Sequence, residues 1–158
     1  MPEADKTDEI GARRNAMAAC AEAGAAELAM VVERLSPVPA ARELRPVETG
    51  LAMLRGRAGG DGAAFNLGEA TVTRAAMSLD MGEGVSAPIG FAYHLGRDAA
   101  KARHAAIVDA LWQLPERRAA VEAALLPVRE RLESERARSA RQAAATRVNF
   151  FTLVRGED

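Results

Sequence analysis

The chain has 158 residues and a formal net charge of −1, a length that suits one domain spanning 1–158 and able to bury roughly 70% of its unfolded surface. No apolar run approaches the ~20 residues that span a bilayer, near-neutrality removes the broad basic field of a non-specific nucleic-acid binder, and Cys20, the one cysteine, allows no internal disulfide. The acidic start Met1-Pro2-Glu3-Ala4-Asp5 is unlike a secretory signal, so a reducing cytoplasm is the expected compartment. Hydrophobic residues make up 49% of the chain, but 36 residues are alanine, so the core is thin and a partner surface is expected to complete it. The basic residues are 19 Arg and 2 Lys. Codon usage in a GC-rich genome explains that bias, and so does a need for Arg forks that bind phosphate or carboxylate.

Residues 1–8 are polar and expected to be frayed. Ile10, Met17 and Ala21 give a weak helical stripe over residues 9–22, and Leu28, Val31, Val32 and Leu35 give a firm one over 25–35. Gly24 separates the two, which predicts a helical hairpin. Ser36-Pro37-Val38-Pro39 ends it, since each proline disfavours helix at the residue before it.

The period then changes to two. Residues 49–57 place Leu51, Met53, Arg55 and Arg57 on one strand face, with Ala52 and Leu54 on the other. Residues 71–79 put Thr71, Thr73, Ala75, Met77 and Leu79 together, and Ile89, Phe91, Tyr93 and Leu95 form a third set after Pro88. Glycines fall between these runs, where turns are needed, which predicts an antiparallel β-meander and not βαβ crossovers.

Helix returns after Gly96, with Asp98 as N-cap and Ala99, Ile107, Leu111 and Leu114 on one face. Pro115 suits the first turn of another helix, with a stripe of Val121, Leu125, Val128 and Leu132 that Pro127 is expected to kink. Residues 129–142 are charged almost all round, and a solvated face is preferred over a bridge to something outside the domain. In residues 146–155, Val148, Phe150, Thr152 and Val154 alternate with Asn149, Phe151 and Leu153, which predicts a closing β-strand covered on both faces, interior or at an interface. The fold class is α+β: N-terminal helical hairpin, antiparallel β-meander, C-terminal helices and a closing β-strand.

The most distinctive segment is Arg55-Gly56-Arg57-Ala58-Gly59-Gly60-Asp61-Gly62. Successive glycines let backbone N–H groups converge into an anion-binding nest. Arg55 and Arg57, with Arg74, would complete a triphosphate- or phosphonate-binding site together with Gly59, Gly60 and Gly62. The plainer alternative is a hairpin loop with charged flanks. It is not a P-loop, because no Gly-Lys-Ser/Thr follows. Asn66 is expected to stabilise a turn, and Glu69 lacks a visible acid/base partner unless Glu48 lies beside it. His94 and His104 have no companion at metal-ligand spacing, so no metal site is expected. Cys20 reads as a small apolar group more readily than as half of a Cys/His pair. No catalytic set is recognisable.

Three stretches together carry a resemblance. They are Leu44-Arg45-Pro46-Val47-Glu48-Thr49-Gly50 continuing through Arg55-Gly56-Arg57 and Phe65-Asn66-Leu67-Gly68-Glu69-Ala70-Thr71-Val72-Thr73-Arg74; Leu95-Gly96-Arg97-Asp98; and Ala145-Thr146-Arg147-Val148-Asn149-Phe150-Phe151-Thr152-Leu153-Val154-Arg155-Gly156. From about residue 40 to the C-terminus the chain resembles the PhnG family, the G subunit of the bacterial carbon–phosphorus lyase core complex. The resemblance implies assembly with H, I and J subunits in the cytoplasm, helped by an ATPase-like L protein. It implies support for transfer of the ribose triphosphate of MgATP to methylphosphonate, with loss of adenine and formation of α-D-ribose 1-methylphosphonate 5-triphosphate. Nucleosidase chemistry is associated with the I subunit and iron–sulfur radical cleavage with J. It assigns no catalytic residue to this chain and no cofactor bound by this chain alone. Two roles remain open: assembly, or direct substrate binding through the Gly/Arg loop. An independent hydrolase is the remote third, and the isolated chain is expected to be inactive.

Overall fold

A computed structural model describes residues 3–58 and 61–146. The order is α1 (Glu3–Glu22), α2 (Ala25–Arg34), β1 (Ala41–Arg57), β2 (Ala64–Leu79), β3 (Ile89–Leu95), α3 (Ala99–Trp112) and α4 (Pro115–Ala145). The strands form one antiparallel sheet in the order β1-β2-β3, so the α+β meander between helices is as expected. The expected closing strand lies outside the described residues, apart from Thr146, which caps α4.

Local chemistry accounts for the helix ends. Asp98 accepts the Lys101 N–H at 2.8 Å, and Pro115 takes the first position of α4, where its missing N–H costs nothing. Gly24 begins α2, and its N–H donates to the Glu27 carboxylate at 2.7 Å. The first helix starts at Glu3, not at Glu9, so residues 3–8 belong to it. Pro127 lies inside α4 on an exposed position, and the helix runs through it. From Glu133 onward the side chains of α4 are exposed, and the helix is tied back to the hairpin by Arg136 to Glu22 (2.6 Å) and by the Arg131 fork on Glu27 (2.6 and 2.8 Å).

The Glu27–Arg131 pair gives a pH dependence. The Arg131 hydrogen bonds hold the Glu27 carboxyl below its ordinary value of 4.5. A carboxyl depressed in the folded state stabilises it above the unfolded value, and that contribution is lost as pH falls through the folded one. Glu27→Gln is therefore expected to lower the melting temperature slightly at neutral pH and to flatten its decline below about pH 4.5. Parallel pH–melting curves for the two proteins would contradict this.

Both long strands begin earlier than their alternating patterns. β1 takes in residues 41–48, where charges and Pro46 hide the strand period. Pro46 sits inside the register shift between Arg45 and Glu48, next to another at Glu43/Arg45, a bulge that relieves it of ladder bonding. β2 begins at Ala64, so Asn66 is not in a turn: it stands opposite Arg55, next to a third shift at Leu54/Arg55 that Gly68 permits with φ +148°.

The core is built around α3, which packs on α1, α2 and α4 and on the sheet. From Ala102 to Trp112 it is buried nearly all round, because alanines at 102, 105, 106 and 110 let neighbours approach closely. Gly90 of β3 lies directly beneath: a Cβ there would sit 1.8 Å from the Ala106 carbonyl oxygen and 2.6 Å from the Ala110 nitrogen. Leu28, Val31, Leu79, Val121 and Leu125 fill the remainder. Trp112 is buried with its indole N–H on Glu122 (2.6 Å) and the Arg118 guanidinium 4.3 Å over its ring.

Candidate functional site

The helices cover one face of the sheet. Opposed pairs on that face are Thr73–His94, Ala75–Ala92 and Met77–Gly90, and all six residues are buried apart from what glycine lacks. The other face carries Ile89, Phe91, Tyr93 and Leu95 of β3, the large members of that strand's period-two set, and they are exposed up to 68% at Leu95. Small residues lie inward on β3 and bulky ones outward, the reverse of a half-buried strand. Beyond Thr73 the helix cover also ends, and Leu51, Met53, Phe65 and Leu67 stand in solvent on the projecting part of the β1–β2 hairpin.

Among the described residues, fourteen large apolar side chains are exposed and twelve are buried, and ten of the exposed ones lie on the three strands. A lone exposed leucine is ordinary, but several side by side mark an interaction surface, and Ile89, Phe91, Tyr93 and Leu95 line one face of β3.

On the open face a shallow cavity of ≈ 530 Å³ is lined by Glu48, Gly50, Ala52, Val72, Arg74 and Tyr93, among others. Arg74 and Glu48 stand opposite each other across β1–β2, joined at 2.5–2.6 Å, and Glu48 holds the Arg74 guanidinium above its ordinary range. The polar floor of this cavity is thereby self-neutralised.

The sequence-predicted anion site does not come together as one cluster. Arg55 and Arg57 stand opposite Asn66 and Ala64 near the hairpin tip, while Arg74 is opposite Glu48, seven residues back along β1 and roughly 23 Å away at ~3.3 Å per residue. Arg57 donates to the Gly62 carbonyl oxygen at 2.9 Å and so braces its own loop. Gly62 has a steric reason to be glycine, since a Cβ would lie 2.6 Å from the Ala58 oxygen. Gly59 and Gly60 lie outside the described residues. Arg55 has no hydrogen-bond or ion-pair partner among the described residues, which leaves it the freest cation of the set.

Glu69 stands opposite Met53, five residues from the position opposite Glu48, so the two carboxylates do not pair. Both ring nitrogens of buried His94 are 2.9 Å from backbone oxygens, of Leu95 and Asp98. Nδ1 of His104 is buried without a hydrogen-bond partner among the described residues. No group of three or more His, Cys, Asp or Glu side chains that would hold a metal occurs among the described residues. Burial pushes the Cys20 thiol up to about 12, so at neutral pH it is protonated and a poor nucleophile.

Sequence reasoning missed Asp109. Its carboxylate is buried and accepts both Arg13 Nε and Nη2 at 2.8 Å and the Phe91 N–H at 2.8 Å. One side chain thereby ties α1 and the outer edge of β3 to α3. The signal was available: an acidic residue in the middle of the apolar run Ile107-Val108-Asp109-Ala110-Leu111-Trp112.

Comparison with known proteins gives a single direction. The family model described as phosphonate metabolism protein PhnG matches residues 11–156. A relative from Rhizobium meliloti (strain 1021), the alpha-D-ribose 1-methylphosphonate 5-triphosphate synthase subunit PhnG, is 46% identical over 161 aligned positions that cover 100% of each chain. With the match running from the middle of α1 through the last helix and beyond, the chain belongs to the PhnG family.

Proposed function

We propose that this chain is an architectural subunit of an α-D-ribose 1-methylphosphonate 5-triphosphate synthase acting in organic phosphonate catabolism. Its partners are the H, I and J subunits of a carbon–phosphorus lyase core complex in the cytoplasm, with the ATPase-like L protein as helper. In the reaction a phosphonate oxygen bonds to the anomeric carbon of ATP's ribose, and the bond from that carbon to adenine breaks. MgATP is substrate of the complex and is not held by this chain alone. The relative's function as a synthase subunit supports the reading. The observation that carries the architectural role is the placement of bulk: most of the large apolar side chains exposed among the described residues stand on the sheet.

Co-expression with the H, I and J subunits is the test. The complex is expected to form with this chain and to lose its integrity without it, and the chain alone is expected to turn over neither ATP nor methylphosphonate. A stable, active complex lacking this chain would overturn the reading.

Direct binding of triphosphate or phosphonate is the second reading, favoured by Arg55, which has no partner among the described residues, beside Arg57 and the glycine-rich segment. Charge-assisted contacts from such arginines are worth about 1.5–3 kcal/mol each, or roughly 10–150-fold in turnover at limiting substrate. On the architectural reading, Arg55→Ala with Arg57→Ala leaves assembly and turnover within about twofold of wild type. A loss of tenfold or more in an intact complex would transfer the role to the loop.

A further inference from the structure

We propose that the distal half of β1, residues 49–54, is an open sheet edge on which another subunit of the assembly lays an extended, uncharged strand. The inference rests on the reading of this chain as a subunit and locates its contact.

The direction of the peptide groups comes from the ladder. Gly96 N–H donates to the Thr71 oxygen (2.9 Å) and Leu79 N–H to the Pro88 oxygen (3.2 Å), so the odd-numbered residues of β2 face β3 and the even-numbered ones face β1. Gly50 is opposite Val72 and Ala52 opposite Ala70. The N–H and C=O groups of Thr49, Leu51 and Met53 therefore point outward, and among the described residues no strand pairs with them.

The two halves of β1 treat this edge differently. Residues 41–48 carry Arg42, Glu43, Arg45, Pro46 and Glu48 and two register shifts, the devices by which natural edges repel other strands. Residues 49–54, Thr-Gly-Leu-Ala-Met-Leu, have no charge, no proline and no register shift until their last residue. The β2 residues opposite them carry one charge, Glu69. Among the described residues the hairpin has no third strand from Leu51 outward, because β3 pairing ends at Val72–Leu95. A bare two-stranded ribbon is marginal in water. The opposite edge of the sheet is blocked by this chain itself: the Asp109 carboxylate takes the Phe91 N–H, and Gln113 Nε2 donates to the Ile89 oxygen at 2.8 Å.

The occupant follows from chemistry and area. Edge groups without charged neighbours select an apolar or uncharged extended segment, with main-chain bonds giving affinity. The five large side chains exposed on the projecting hairpin, Leu51, Met53, Leu54, Phe65 and Leu67, offer on the order of 500 Å², over half of the ~800 Å² that each partner brings to a standard stable interface before the backbone of the edge itself is counted. A second copy of this chain fits less well. Two-fold pairing through the outward-facing residues, centred on Leu51, sets the bulged Arg45-Pro46 of each chain opposite Gly56-Arg57 of the other, with Arg45 against Arg57 as a like-charge pair at both ends.

Amide hydrogen exchange on the wild-type chain, free and in the co-expressed complex, is the first measurement. The amides of Leu51 and Met53 are expected to slow by about a hundredfold or more in the complex. Met53→Pro removes one outward N–H without touching the β1–β2 ladder, and it is expected to cut recovery of the complex by about tenfold or more, while Met53→Val stays within about twofold. Failure of the wild-type chain to join any of the proposed subunits overturns the subunit reading. Normal assembly by Met53→Pro, with the two amides unprotected in wild type, overturns the edge alone. Protection that instead rises with concentration in the free chain, at the mass of a dimer, assigns the edge to a second copy and overturns the proposal.

Discussion

Gly90→Ala is expected to destabilise the fold by about 3 kcal/mol, because the added carbon collides with backbone on both sides of its position and no side chain can rotate away. For a chain of this length that corresponds to a fall in melting temperature of roughly 6–12 °C. Relief requires moving α3 away from β3, and α3 is the element on which the other helices pack. Gly50→Ala is the control, since nothing lies within 4 Å of its Cβ position; it is expected to be neutral or to stabilise by a few tenths of a kcal/mol. Equal melting of Gly90→Ala and wild type would mean that α3 does not rest on the backbone of β3.

The second large effect belongs to Asp109→Ala, expected to cost roughly 2–4 kcal/mol. The substitution leaves the Phe91 N–H and the inner side of the Arg13 fork without an acceptor. Arg13 keeps part of its hydration, with 37% of its side chain exposed, which holds the figure below that of a fully buried pair. Arg13→Met makes the complementary test, because it strands a buried carboxylate on one N–H. If the pair acts as a unit, the double variant is less damaged than the two losses added together. Faster exchange of the Phe91 amide in Asp109→Ala would show that the carboxylate seals that strand edge, and unchanged exchange would refute it.

What the sequence discloses of this fold depends on how each element buries itself. The α2 stripe, the Asp98 cap and the Pro115 start were legible because helix signals are local. The interior role of α3 was not, since alanines at four of its contact positions leave no stripe of bulk, and only packing turns smallness into proximity. The early part of β1 was obscured by Pro46 and its charged neighbours, and the start of β2 by Asn66 and Gly68, which read as a turn until a register shift absorbs them. On β3 the period was plain but not which side is covered, and it is Gly90, Ala92 and His94 that are buried. The arginines illustrate the limit for sites: Arg74 shares a strand face pattern with nothing near Arg55, and the pairing register that separates them is a tertiary fact.

The uncharged stretch of β1 also bears on how much of this chain a cell can hold. Copies made in excess of their companions leave that stretch as one side of an uncovered two-stranded ribbon, which opens readily and exposes the chain to proteolysis. Balanced synthesis with its companions becomes a requirement of the polypeptide's own surface, quite apart from any control of the pathway's flux.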